Sequence, residues 1–269
     1  MPVTLLFVEG DLDEQLLTNV FGGAPAVEKR GSKYALKGIV VTERSETGNQ
    51  GIEFLRDRDF DSEPDTATPD VPKPILTPRS RDRLGWTWFR HSIECYLLEP
   101  ALAARALGKP KEELEGMLRQ AGTDMLVYQA ARWTVGQARA KLPPSRELET
   151  QPPGIDGDFA LPADMSENAC WAWLSTSPGR FIGPVIEAFT ESALRKSFEQ
   201  YRAKLAGLDV QDVLVWFSGK DLLAFAAPKL GPQSPGEVRN RLRNWVRNHP
   251  EETLELLPEW AALKRLLNQ

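Results

Sequence analysis

Glu9 closes a short apolar run, "VTLLFV", and Asp13 follows four residues later, roughly 6 Å along a helix. Further on, a second apolar run gives way to "RDRDFD", which carries Asp57, Asp59 and Asp61 at alternate positions. Crowded carboxylates repel one another unless something positive sits among them. Hard divalent ions such as Mg²⁺ or Mn²⁺ accept an all-oxygen site of this kind. Two such ions about 4 Å apart activate a water and stabilise the leaving oxygen of a phosphodiester. The competing reading of the acidic run is a solvated loop whose charges point apart. The position of Glu9 at a strand end favours the shared site.

Such acids need elements that deliver them to one place. The run at 3–8 is continuous and apolar, which suits a buried strand of a parallel sheet. "GDLDEQLLTNVFGG" follows, with Leu12, Leu16, Leu17 and Val20 at helical spacing, Asp11 available as a cap, and Gly22 and Gly23 to end the helix. A second helix is expected over 32–46 and a strand over 51–57. Strand, helix, helix, strand implies a parallel α/β sheet. Ligands of such sheets collect outside the carboxyl ends of the strands, where Glu9 and Asp57 are expected. Further strands are expected at 86–90 and 213–217, with irregular loops at 62–80 and 143–166. Helices are expected over 101–141 with a break at Pro110, and over 184–206, 235–248 and 258–267. The sheet would then be interrupted by a mostly helical insertion at 99–206. The core would comprise 1–98 and 207–230, followed by C-terminal helices at 231–269.

These residues resemble a known family. "LLFVEGDLDEQLL" with "FLRDRDFD" is similar to the TOPRIM fold, with its strand-terminal Glu and its DxD motif. "RHSIECYLLEP" and "FSGKDLL" narrow the resemblance to the OLD-like TOPRIM nucleases. Within these, the chain resembles the standalone effectors of anti-phage defence typified by the PARIS system. The resemblance covers about 1–100 and 207–230. It implies a Rossmann-like TOPRIM sheet and a nuclease acting on RNA, tRNA included, or on DNA. Two Mg²⁺ or Mn²⁺ ions are implied as cofactors. Glu9 and Asp13 match the first acidic pair, Asp57 and Asp59 the DxD, Glu94 the acid of the later helix, and Lys220 the lysine of the GK segment. Asp61 extends the acidic set. Catalysis would rest on Glu9, Asp57, Asp59 and Lys220, with Lys220 neutralising charge on the transition state. Read without the resemblance, Glu94 is also a helix N-terminal acid favoured by the macrodipole, and Lys220 a turn lysine in solvent. Cys95 departs from the group, which more often has Asn there; this bears on packing.

Charge and composition bound the alternatives. The net charge is −5, yet residues 1–70 hold 7 Lys/Arg against 14 Asp/Glu, and residues 195–249 hold 10 against 5. In "EVRNRLRNWVRNH", Arg239, Arg243 and Arg247 form one stripe beside an apolar face. Such a stripe suits phosphate backbones or an acidic partner surface. No Walker A motif occurs, so an ATPase partner is expected to be a separate protein, as the resemblance implies. A homodimer through the helical segments is also expected. Two histidines are too few for a zinc site, and Cys95 and Cys170 suggest core thiols and a reducing, cytoplasmic setting. No apolar run approaches the ~20 residues that cross a bilayer, and "MPVTLLFVEG" lacks the basic start of a signal peptide. Two other functions compete. An Asp57-nucleophile phosphotransferase would want a small β-branched residue near Phe60. An interaction subunit would carry a vestigial acid set.

Overall fold

The computed structural model describes the chain apart from residues 66, 67, 69, 78, 79, 143–167, 169–171, 173–181, 232 and 233. Strand β1 is Leu5–Val8, helix α1 Asp11–Phe21, β2 Ala26–Lys29, α2 Lys33–Thr47 and β3 Ile52–Arg56. Strands β4 (Lys73–Leu76) and β5 (Arg83–Thr87) follow, and then α3 (Ile93–Leu97), α4 (Pro100–Leu107), α5 (Lys111–Asp124) and α6 (Leu126–Ala140). The remaining helices are α7 (Glu191–Lys204), α8 (Val210–Trp216), α9 (Gly219–Leu230), α10 (Pro235–Asn248), α11 (Pro250–Leu256) and α12 (Pro258–Leu267). The chain divides into two compact units, one of Met1–Gln129 with Leu205–Gln269, the other Ala130–Lys204. Residues 99–129 of the expected insertion therefore belong to the first unit.

The first unit is α/β. Its five strands run in the order β2-β1-β3-β5-β4, parallel except for β4, which is antiparallel to β5. The chain leaves β1 toward β2 on one side and returns from β2 to β3 on the other. The sheet thus has its topological switch point between β1 and β3, where ligands gather in open α/β sheets. Helix α2 covers one face and packs with Phe7, Ile52, Phe54 and Leu84 through Leu36 and Val40. These side chains are shielded from water, and burying each contributes about 1.5–3 kcal/mol. The other end of β1 is tied down by a bond from the Val3 N–H to the Leu267 carbonyl at 2.8 Å. Among the described residues no helix is long and apolar enough to cross a membrane.

Four expectations are corrected. The run "VLVWF" is not a strand. Asp209 caps a helix by accepting the Asp212 N–H at 2.9 Å, and Val213 to Trp216 are buried because α8 is enclosed by α5 and α3. An apolar run buried all round carries no period, so its type cannot be read from the pattern. The strand expected at 86–90 starts earlier, at Arg83, where the guanidinium pairs with Glu53 of β3 at 2.7 Å. The sheet is mixed because β4 forms within the proline-rich loop; it is an edge strand, where Pro74 needs no ladder donor. The cap of α1 is Gly10, and Asp11 is its first residue.

The second unit contains α7 and most of α6, with Trp133 stacked on Tyr201 at 5.4 Å. The helix expected over 184–206 is divided: Thr190 accepts the Ala193 N–H at 3.3 Å and starts α7, after a helical stretch at 182–188. The loop expected at 143–166 and Cys170 lie outside the described residues.

Glu259, in α12, is 1% exposed and locks that helix onto the first unit's core. It accepts the Phe89 N–H at 2.7 Å and the Tyr96 hydroxyl. Burial pushes its carboxyl up from 4.5 to about 7, against the pull of those two donors. The folded protein therefore holds this proton more tightly than the unfolded chain between about 4.5 and 7. Stability from Glu259 is complete below that window and is lost as pH rises through it, by about 3 kcal/mol. Glu259→Gln is expected to flatten the fall in urea-unfolding free energy between pH 5 and pH 8 by that order. An unchanged slope would remove Glu259 as its source.

Candidate functional site

A cavity of about 390 Å³ opens at the carboxyl ends of β1 and β3 and is lined by Glu9, Asp13, Asp57, Glu94, Lys220, Arg239 and Arg243, among others. Local structure explains each position. Glu9 leaves the sheet one residue after β1, and its Oε1 accepts the Asp57 N–H at 2.8 Å, which ties the ends of the two central strands together. Gly10 turns the chain into α1 so closely that a Cβ there would lie 3.2 Å from Asp13 Oδ2. Asp57 follows β3, and its Oδ1 accepts the Ile93 N–H at 3.1 Å, joining the strand end to α3. In the first turn of α3, Glu94 Oε2 accepts the Ser92 hydroxyl at 2.8 Å. Lys220 enters on α9, whose Gly219 lies flush on α3: a Cβ there would meet Glu94 Cβ, Cys95 N and Ser92 Oγ at 2.8 Å.

The electrostatics follow from crowding. Burial, then repulsion from Glu94 and Glu9, pushes Asp13 up to about 7, with Lys220 pulling the other way. Asp57 is raised well above the ordinary carboxylate range by burial and by Asp13, Asp59, Glu94 and Glu9 around it. Glu9 is raised by burial, against the Asp57 N–H. Desolvated carboxylates held this close favour a cation among them. Among the described residues, no three His, Cys, Asp or Glu side chains are already arranged as a metal cage. The donor chemistry nevertheless fits a hard ion: five carboxylates line one cavity, Asp11 paired with Lys29 and the other four facing one another in charge, and Glu9, Asp57 and Glu94 each have one oxygen oriented by a protein donor. Such outer donors aim ligands in metal sites.

No family model matches this chain, and no curated protein matches its sequence.

The structure brings together Glu9, Asp13, Asp57, Glu94 and Lys220 with Arg239 and Arg243 of the α10 stripe. Arg243 reaches across to α1, donating to Gln15 Oε1 at 3.2 Å, and among the described residues its buried Nε has no hydrogen-bond partner. Arg247 is outside the lining and exposed. Asp59 and Asp61 are also outside it. Both pair with the buried Lys33, Asp61 at 2.9 Å. Asp59 has φ +50° and donates its N–H to the His91 carbonyl at 2.8 Å. His91 packs edge-on against Phe60 at 4.3 Å. Cys95 is a core thiol, pushed up to about 12 by burial.

Three structural contributors carried no sequence signal: Ser92, Lys33 and Arg58. Arg58 sits inside the acidic run but turns inward, donating to the carbonyls of Phe89 (3.0 Å), Ser62 (2.7 Å) and Val215. It fastens the loop after β3 to the rest of the unit. A second cavity, of about 430 Å³, is lined by Arg90, Glu99 and Gln211. Its one arginine is engaged, Arg90 reaching Glu99 at 2.6 Å and Gln211 at 3.0 Å. It therefore presents no comparable reactive set.

Proposed function

We propose that this protein is a metal-dependent nuclease of the TOPRIM type, in the OLD-like group, hydrolysing phosphodiester bonds of RNA or DNA. One observation carries the reading: Glu9, Asp13, Asp57 and Glu94, from three chain segments, share a cavity with Lys220, Arg239 and Arg243 at the sheet's switch point. Acids alone would suit many cation sites, and basic residues alone many anion sites. Both in one cavity fit a cation and a phosphate together.

Glu9, Asp13, Asp57 and Glu94 would hold a divalent ion, Mg²⁺ or Mn²⁺, which supplies charge neutralisation at the phosphate and acidifies a water. Arg239 and Arg243 bind the nucleic-acid backbone at the rim, and the unpaired Arg243 Nε offers a further donor to a phosphate oxygen. Lys220, on the first turn of α9, places an ammonium beside the carboxylates, where charge grows on the phosphate oxygens. The resemblance adds an anti-phage effector role under a separate ATPase partner.

The direct test is incubation of the purified chain with total RNA and with plasmid DNA, in Mg²⁺, Mn²⁺ or EDTA. Cleavage of one substrate with metal and none with EDTA is expected. Both substrates remaining intact with both metals would end the nuclease reading.

The division within α10 gives a sharper expectation. Arg239→Glu with Arg243→Glu is expected to weaken binding to all sequences alike and to lower the slope of log K against log salt by about 2. Arg247→Glu, on the same helix but outside the cavity, is expected to leave the slope in place. Fluorescence anisotropy on labelled single strands at several salt concentrations measures both. Equal effects of the two changes would mean that the stripe acts as a diffuse surface rather than through the cavity.

A further inference from the structure

The acidic run splits in two directions. Asp57 turns into the carboxylate cavity, while Asp59 and Asp61 turn to Lys33, the first residue of α2. Lys33 is only 7% exposed, and its Nζ is in contact with Asp61 at 2.9 Å and with Asp59 more closely still. A surface ion pair contributes little, but this ammonium is withdrawn from water between two carboxylates, and removing them would leave a buried charge uncompensated. The Asp59 backbone lies in the left-handed region, and its N–H donates to the His91 carbonyl. The Lys33 charge also acts on Glu9 of the cavity, pulling its carboxyl down against burial. An internal cation thus lies next to the position where an exchangeable one would sit.

Two-ion phosphodiesterases place their cations about 4 Å apart, the second one held by further carboxylates of the same cluster. Here those further carboxylates, Asp59 and Asp61, already have a cation. We infer that this protein binds one divalent ion per chain, on Glu9, Asp13, Asp57 and Glu94, and that Lys33 permanently fills the second cation position between Asp59 and Asp61. The inference rests on the reading of the cavity as a divalent-ion site. An ammonium supplies one positive charge that cannot be diluted away or chelated, at the cost of the second positive charge and the open coordination positions of a metal.

Metal stoichiometry tests it without any assay of cleavage. The full chain is titrated with Mn²⁺ and free Mn²⁺ is followed by electron paramagnetic resonance. The wild type is expected to take up one ion. Lys33→Met keeps the apolar stem and removes the ammonium, so a second ion is expected to bind, with spin–spin broadening from its neighbour. Asp59→Asn with Asp61→Asn removes the acids instead and leaves Lys33, and here uptake is expected to stay at one. Two ions in the wild type would overturn the inference while leaving the metal reading standing. No ion in the wild type would overturn both. Loss of the single ion in the Asp59, Asp61 double variant would show those acids to be ligands and overturn the role given to Lys33. A folded Lys33→Met protein that still takes up one ion would do the same. Should Lys33→Met fail to fold, the wild-type count and the double variant still decide.

Discussion

Asp57→Asn is expected to abolish cleavage, by on the order of 10³-fold or more, and to leave the protein at least as stable as the wild type. The two halves of the expectation come from the same geometry. Asp57 Oδ1 accepts the Ile93 N–H, and an amide oxygen of the same shape can keep that bond. What the amide cannot keep is the negative charge, which Asp13, Asp59, Glu94 and Glu9 all oppose. Removing one member of a repelling group relieves strain in the metal-free protein, as it does for acids held together for function. The same charge would be needed to hold the ion. Thermal unfolding should therefore show a wild type stabilised by Mg²⁺ and a variant that starts at or above the metal-free wild type and gains less. A variant that cleaves at the wild-type rate would remove Asp57 from the site. One that unfolds far below the wild type in EDTA would show that the carboxylate serves the fold.

The part of this site legible in the sequence was the part built from local patterns. Continuous apolar runs revealed β1 and β3, and the rule that ligands gather at strand carboxyl ends put Glu9 and Asp57 together across a large gap in the chain. Spacing revealed α1, α2, α10 and α12. Strands β2 and β4 were hidden because each is four residues long and partly exposed at a sheet edge, too short for alternation to register. The partners of Lys33 could not be read either. They lie 26 and 28 positions further along the chain, and only the return of the chain from β2 through α2 to β3 brings them near. Arg58 was masked by its company, since a lone cation in "DRDFD" reads as part of a charged surface until its three carbonyl partners are seen. The arginine stripe was half legible. Fourfold spacing keeps Arg239, Arg243 and Arg247 on one side of α10, but each step advances about 6 Å along the axis. The stripe leaves the cavity after two of the three.

Gly85→Ala is expected to cost about 3 kcal/mol or more, or to give insoluble protein, for reasons that connect the sheet to the site. Gly85 lies in β5 opposite Phe54 of β3 on one side and Ile75 of β4 on the other. A Cβ added there would lie 2.2 Å from the Phe54 carbonyl oxygen and 2.8 Å from its ring. Neither neighbour can yield cheaply. The oxygen belongs to the strand backbone, and the ring is packed with Phe7, Leu36, Val40, Ile52 and Leu84. The collision must therefore part β3 from β5. β3 ends at Asp57, and β5 leads through Trp88 to the α3 turn that carries Glu94, so the same displacement would separate two of the four carboxylates. Gly38, exposed on α2 with nothing within 4 Å of a Cβ, is the control. Gly38→Ala is expected to stabilise by up to about 1 kcal/mol, because alanine favours the helix and restricts the unfolded chain. Urea unfolding of both variants measures the difference. If Gly85→Ala fell within 1 kcal/mol of the wild type, the contact between β3 and β5 would be looser than a parallel pair with Phe54 over Gly85 allows. The rigid frame proposed for the carboxylates would then have to lie in α3 and α9 instead.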